Sequence, residues 1–486
     1  MTLWELVVGA PPERAVLADD HGRTMTCAEL ADAAERVAAG LGVGPGDVVS
    51  WQLPTTIEAA VLMVALARVG AVQNPIIPIL REREVGQITA AVGTDVFLAP
   101  ATWRGFDHAA MAEGLGLRVV AFDFEAEPGA GLRLPTGDPS TLPSPPASGT
   151  DHRWVYFSSG TTADPKGARH SDESLISSAT GMNERLRLTD GDVYPIAFPL
   201  THIGGIGMLA AALRTGGVLL LLDTWDPAVT PERVAAHRPT ILGSAQPFFR
   251  AYLDAQRRHG DEPLYPHLRT CTAGGAPTPP ELVRELVEAF GIRGVVSSWG
   301  LTEFPIATYA DPDDAPVVLA ETVGRAVPGV SVRVVDGELR LKGPQCFLGY
   351  LDPALDADAF DDEGWFRTGD LGTIDDAGNV RITGRLKDVI IRNAENISAL
   401  EIEDVLLRHP DIVDVAVIGL PDARTGERVC AVVVAPPSLT IEALGEHCTA
   451  QGLARHKCPE QLELVEAIPR NPMGKALKQQ LKDQLA

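Results

Sequence analysis

YFSSGTTADPKG, Tyr156 to Gly167, packs four Ser/Thr hydroxyls, two glycines and one lysine into a short span that continues the apolar run Trp154 to Phe157. That composition suits a phosphate. Ser158, Ser159, Thr161 and Thr162 offer hydroxyl donors, Gly160 and Gly167 let backbone N–H groups come close to an anion, and Lys166 adds a compact charge. The Walker A order is different, because there the lysine follows the second glycine and precedes Ser/Thr, whereas Lys166 precedes Gly167 and Ala168 comes next. A flexible Ser/Gly surface loop is the competing reading of the composition. A strand before it and a Pro-Lys-Gly stop after it argue against that reading.

With 486 residues and 51.6 kDa the chain is too long for one ordinary core, so two or more domains are expected, and a 45% apolar share is enough to fill them. The 65 acidic against 41 basic residues give a formal charge of -24, which argues against a nucleic-acid-coating or polybasic membrane-binding surface. Any pocket for nucleotide phosphates has to be local. The six cysteines, Cys27, Cys271, Cys346, Cys430, Cys448 and Cys458, form no CxxC pair, so neither a zinc site nor a disulfide scaffold is suggested and a reducing cytoplasm fits. The N-terminus MTLWELVVGAPPER has no basic lead-in, and Glu58 and Arg68 break the apolar stretch Ile57 to Val72, so no signal peptide and no membrane span are expected.

From Thr26 onward helical periodicity (CAELADAAERVAAGL) alternates with short apolar strands such as VVSWQLP and DVFLAP, the rhythm of a parallel sheet covered by helices. Thr26 and Glu29 form a capping-box pattern. A Pro/Gly/Ser-rich stretch, about 127–149, interrupts the rhythm and reads as a linker between subdomains. From Val332 short strands and turns take over, with Asp336-Gly337 as a hairpin signal, and about 330–384 reads as a small β-rich subdomain. After Gly384 a separate, compact αβ segment runs to the end. The expected fold class is α/β: a large N-terminal domain of αβ-layered subdomains with a small β-rich part, then a small mobile α+β C-terminal domain.

The Tyr156 to Gly167 string resembles the phosphate loop of the adenylate-forming enzymes, which comprise acyl-CoA synthetases, peptide-synthetase adenylation domains and luciferases. Ala163 stands where that family usually has glycine. Four further segments carry the resemblance. Ser297-Ser298-Trp299-Gly300-Leu301-Thr302-Glu303 follows the apolar pair Val295-Val296 and matches aromatic-G-x-T-E, with Trp in place of the usual Tyr. Hard cations such as Mg²⁺ take carboxylates together with substrate phosphates, and the resemblance implies Trp299 and Gly300 beside adenine, Thr302 on a phosphate and Glu303 on the metal. Ala273-Gly274-Gly275-Ala276-Pro277 resembles the GGAP segment, placing Gly275, Ala276 and Pro277 against adenine and acyl group. Thr368-Gly369-Asp370 and Gly384-Arg385 match the family's TGD and its arginine, which assigns Asp370 to the ribose hydroxyls and Arg385 to the ribose and phosphate region.

The resemblance also places a hinge at 385–387 with Lys387 as its residue, an AMP-binding domain at 1–384 and a lid domain at 388–486. Lys475, in Pro472-Met473-Gly474-Lys475, then reaches the reacting carboxylate and α-phosphate, a charge-stabilising role. Pro199-Leu200-Thr201-His202-Ile203-Gly204-Gly205 resembles the segment that sets His beside the carboxylate. His202, Gly205, Gly275 and, from SAQPFF, Phe248 are the pocket candidates. They are small or apolar, favouring a medium-chain, cyclic or sterol-derived acid over an amino acid.

The implied reaction is carboxylate plus ATP giving acyl-AMP and pyrophosphate, then thiol attack giving a thioester and AMP, with Mg²⁺ as cofactor and CoA as the thiol. IIRNAENISALEIED resembles the family segment that lines the thiol approach, with Asn393 and Ala394 in place of its two glycines. A carrier-protein phosphopantetheine and water remain alternative acceptors. The implied setting is fatty acid metabolism in the cytoplasm, with no nucleic acid, no integral membrane segment, and a homodimer compatible with it. A different class, an NAD-dependent dehydrogenase, is suggested by Gly205-Ile206-Gly207-Met208-Leu209-Ala210, which fits G-x-G-x-x-A, with Asp223 ending the strand VLLLL. Pro199, Thr201 and His202 before the first glycine argue against it.

Overall fold

The computed structural model describes residues 1–124, 132–158, 166–274, 278–393, 395–422, 424–471 and 474–485. One sheet has six strands in the order Lys166–Ser171, His152–Ser158, Val72–Pro75, Val48–Trp51, Val96–Pro100 and Val119–Phe122. All but the first of these are parallel to their neighbours. A second sheet sets Ile241–Ser244, Thr270–Gly274 and Val295–Trp299 in parallel, and ends on two short antiparallel strands. A third, of four strands, pairs Val218–Leu221 in parallel with Val193–Ile196 and with Ala15–Asp19.

The capping box at Thr26 is formed, and it starts the helix Cys27–Leu41, whose apolar face enters the largest core. Beside it, every residue of the helix Ile57–Val69 is buried. Its two charges are therefore paired. Glu58 meets Arg23 at 2.8 Å and Arg133 at 3.1 Å, and Arg68 meets Glu35 at 2.9 Å and the Pro143 carbonyl at 2.8 Å. Buried charges persist only when paired in this way.

Arg133 and Pro143 belong to the stretch read as a linker between subdomains, and here the structure corrects the sequence. The chain from Val119–Phe122 to His152–Ser158 joins two strands of one sheet, and its described part packs down. Leu134 is buried in the main core, and the Gly137 amide donates to the Arg36 carbonyl at 2.8 Å.

Residues Ser331–Val335, Glu338–Lys342, Phe366–Ile374 and Val380–Arg385 form a four-stranded antiparallel meander. Its first turn holds Asp336 at φ 51° and Gly337 at φ 82°, the left-handed pair that a two-residue hairpin needs. Beyond Arg385 a five-stranded sheet, with the helices Ala399–Leu406 and Ile441–Ala450 packed on it, encloses its own apolar core. Among the described residues no helix is long and apolar enough to cross a membrane.

Candidate active site

The strand His152–Ser158 enters the phosphate-type loop and Lys166–Ser171 leaves it, paired antiparallel with Lys166 opposite Ser158. Ser159, Gly160, Thr161 and Thr162 lie outside the described residues, as do Gly275, Ala276, Pro277 and Ala394. The loop therefore closes a β-hairpin, where a Walker A loop would open a helix. Gly167 is closely packed: a Cβ there would lie 2.5 Å from Leu351 Cδ1, so the Leu351 side chain would have to shift. Lys166 Nζ stands 5.5 Å from the centre of the Tyr350 ring.

Trp299 ends a strand of the second sheet, and the motif after it folds back on itself. Ala307 N–H donates to the Trp299 carbonyl at 2.8 Å, and Leu301 and Phe304 exchange backbone bonds at 2.9 and 3.1 Å. Gly300 sits inside that fold, where a Cβ would lie 2.2 Å from the Pro305 carbonyl oxygen. Thr302 and Glu303 stand at the tip.

Three residues that the sequence did not single out hold this tip, His170, Tyr350 and, through its amide, Phe347. His170 Nε2 lies 2.8 Å from the Thr302 carbonyl, and burial pushes its pKa down to about 4, so the ring is neutral with Nε2–H as donor. Tyr350 O–H donates to Glu303 Oε1 at 2.8 Å, and the Phe347 amide donates to the Glu303 carbonyl at 2.9 Å. Burial and the facing Glu303 push the Tyr350 hydroxyl pKa well up, so it stays a donor. His170 carries no local signal, and Tyr350 is visible in sequence only as an aromatic ending FLGY.

Asp370 is buried, with Trp299 Nε1–H donating to Oδ2 at 2.8 Å and Arg385 Nε bonded to Oδ1. The strands carrying Asp370 and Arg385 are paired at those two residues. Lys387 lies in the single turn Leu386–Asp388 that follows. Lys475 sits in a tight loop where its amide donates to Asn471 Oδ1 at 2.9 Å and Gly474 takes φ 78°. Burial, then the charges of Arg385 and Lys387, push its pKa down to about 8, against the pull of Asp370 and Asp388. Residues far apart in sequence thus share one electrostatic environment. Three basic residues, Arg385, Lys387 and Lys475, lie within electrostatic reach of one another and of the acidic Asp370 and Asp388.

His202 caps the helix Ile203–Thr215, its Nδ1 accepting the Gly204 amide at 3.1 Å, and burial pushes its pKa down to about 4. The ring is therefore neutral and presents Nε2–H. It lines a cavity of about 50 Å³ together with Ile76, Ile88, Phe157, Ile203 and Thr302. Gly205 faces the Leu200 carbonyl, where a Cβ would lie 2.0 Å away, and Phe248 packs edge-on to Trp225 at 4.8 Å; neither lines that cavity. Gly205 and Gly207 both lie within the helix Ile203–Thr215, so the dinucleotide pattern has no strand-to-helix turn to occupy and the dehydrogenase reading falls. Asp20, His21 and Asp223 form the one group of three metal-type donors within 4.8 Å among the described residues, and Arg233 already pairs with Asp20.

Layered parallel sheets, a hairpin around the Ser/Thr-rich loop and a second domain whose Lys475 feels the charge of Asp370 fit an adenylate-forming enzyme. Residues 4–351 match the AMP-binding enzyme family and residues 401–475 the AMP-binding enzyme C-terminal domain, so the chain belongs to that family. It is 32% identical to the medium-chain fatty-acid-CoA ligase of Escherichia coli (strain K12), over 98% of this chain and 88% of that protein. It is 33% identical to the 3-[(3aS,4S,7aS)-7a-methyl-1,5-dioxo-octahydro-1H-inden-4-yl]propanoyl:CoA ligase of Mycobacterium tuberculosis (strain ATCC 25618 / H37Rv), over 98% and 97%. Among solved structures, ATP-bound MatB from Rhodopseudomonas palustris superposes with a TM-score of 0.88 at 29% identity, over 100% of this chain and 99% of that one. The chain is an AMP-forming acyl-CoA synthetase, coupling ATP-dependent activation of a carboxylate to CoA transfer.

Proposed function

We propose that this enzyme activates a medium-chain, cyclic or sterol-derived carboxylate and passes the acyl group to free CoA rather than to a carrier protein. Lys475 stabilises charge between the carboxylate and the α-phosphate. Asp370 takes the ribose hydroxyls, Arg385 the ribose and phosphate region, and Lys166, with the hydroxyls of its loop, the leaving phosphates. His202 faces the acyl group. The observation that carries the roles of Lys475, Asp370 and Arg385 is that Arg385 is bonded to Asp370 across paired strands and that Lys475 feels the charge of both.

Magnesium fits Glu303, a buried carboxylate with one oxygen fixed by Tyr350, beside Thr302. A cation held there would neutralise phosphate charge. Among the described residues, no acidic side chain that could hold an amino acid's ammonium lines the small apolar cavity beside His202, which favours a carboxylate without an amine. The names of the two curated relatives, one for medium-chain fatty acids and one for a bicyclic propanoate, point the same way. Asn393 lies at φ 52°, so it keeps the left-handed backbone that a glycine would give the hairpin between Val389–Arg392 and Glu395–Ser398.

The test is pyrophosphate release across a panel of linear, cyclic and steroid-side-chain acids and amino acids, with CoA or a phosphopantetheinylated carrier as acceptor. The apolar acids with CoA are expected to lead. Faster turnover of an amino acid, or acyl transfer to the carrier alone, would overturn the reading.

A further inference from the structure

We propose that Trp299 is a positioning residue that sets the enzyme's discrimination between ribose and deoxyribose nucleotides, by fixing the carboxylate of Asp370 through its indole N–H. The inference rests on the assignment of Asp370 to the ribose hydroxyls.

Asp370 is held from several sides. Its amide donates to Thr368 Oγ1 at 3.0 Å, and that hydroxyl donates to the Leu339 carbonyl at 2.6 Å. On the carboxylate, Oδ1 takes Arg385 and Oδ2 takes Trp299 Nε1–H at 2.8 Å, and both Asp370 and Trp299 are buried. A carboxylate has about four lone-pair positions, so two remain for a pair of vicinal hydroxyls. Their direction is set by the two protein donors.

The donors differ in kind. Arg385 is followed directly by the turn Leu386–Asp388, on the edge where the chain passes to the second domain. Trp299 ends a strand of the second sheet and is locked by the bond from Ala307 to its carbonyl. The aromatic more usual in this motif, tyrosine, has no donor midway along its ring, since its hydroxyl lies at the far tip. Tryptophan at 299 therefore adds an anchor that tyrosine or phenylalanine would not supply, and it does so from the more firmly held side.

The experiment compares kcat/KM for ATP, 2′-deoxy-ATP and 3′-deoxy-ATP, by pyrophosphate release, in the unmodified enzyme and in Trp299→Phe, Asp370→Asn and a protein carrying benzothienylalanine at 299. The last keeps the ring shape and replaces N–H by sulfur, so it removes the donor while leaving packing intact. Loss of one hydrogen bond to a charged group is expected to cost about tenfold. Benzothienylalanine is expected to lower kcat/KM for ATP by about that factor, through KM, and to lower it less for the deoxy nucleotides, whereas Phe, which also trims the ring beside adenine, adds a loss common to all three. An equal fall for all three nucleotides in the benzothienylalanine protein, which leaves the preference for ATP unchanged, overturns the role of Trp299. If Asp370→Asn itself leaves the preference for ATP intact, the ribose assignment fails; if it abolishes that preference while both Trp299 changes spare it, only the inference about Trp299 fails.

Discussion

Thr302 and Glu303 stand on a loop pinned by side chains and backbone from three directions, by His170, Tyr350 and Phe347. Lys475 stands on a loop whose shape comes from bonds among Arg470, Asn471, Gly474 and Lys475. It meets the rest of the site as a charge among charges. The first arrangement is preorganised and costs nothing to assemble when a ligand arrives. The second brings its lysine to the site by charge, which would suit a group that leaves between two half-reactions.

The largest effect that tests this contrast comes from Lys475 itself. Lys475→Ala is expected to slow acyl-adenylate formation by about 10²- to 10³-fold, the usual scale for removing one preorganised charge-stabilising donor. Thioester formation from pre-made acyl-adenylate should be largely spared. Lys387→Pro should do the reverse, by freezing the turn Leu386–Asp388 about which the second domain would rotate. Both steps assayed separately decide the matter, and equal loss of both in Lys475→Ala would remove the distinction between a fixed and a visiting group.

On the pinned side, Tyr350→Phe takes away the hydroxyl that fixes Glu303 Oε1. Partners that orient a metal-binding carboxylate are worth about ten- to a hundredfold in metal affinity, and the expected outcome is a roughly tenfold rise in the magnesium concentration for half-maximal rate. Turnover at saturating magnesium should change little. A magnesium titration that superposes on that of the unmodified enzyme would show that Glu303 needs no such support.

The same contrast explains what could be read from the sequence. The loop at Trp299 was legible because its signals are local: the apolar pair Val295-Val296, one glycine, then a hydroxyl and a carboxylate. Its supports were not, since His170 lies 132 residues from Thr302 and Tyr350 lies 47 from Glu303. Only the fold brings them together. The Asp336-Gly337 turn was legible for the same local reason, its φ values being demanded by two adjacent residues. The Pro/Gly-rich stretch misled because composition reports missing regular hydrogen bonding and says nothing of packing. At Gly137 a Cβ would lie 2.6 Å from the Ala39 carbonyl oxygen, so that glycine marks a close approach to a helix. The Trp299 to Asp370 bond was invisible because tryptophan reads as a stacking face until its edge is placed.

The smallest expected effect is a pH profile, and it tests whether Lys475 is governed by its neighbours' charges. Its pKa falls to about 8 through burial and the like charges of Arg385 and Lys387. The protonated form is the one that stabilises developing negative charge. For the free enzyme, then, activity is full below pH 8 and is lost as pH rises through that value, the opposite limb from a carboxylate base. Because kcat/KM reports the free enzyme, the value for ATP should be about fourfold below its plateau at pH 8.5, given a pKa near 8. Bound phosphates favour the ammonium form and raise its pKa, so kcat should hold to higher pH than kcat/KM. In Lys475→Ala the alkaline limb should vanish from the residual activity. Should the limb persist there, its titrating group lies elsewhere, and the cationic cluster of Arg385, Lys387 and Lys475 does not tune the lysine.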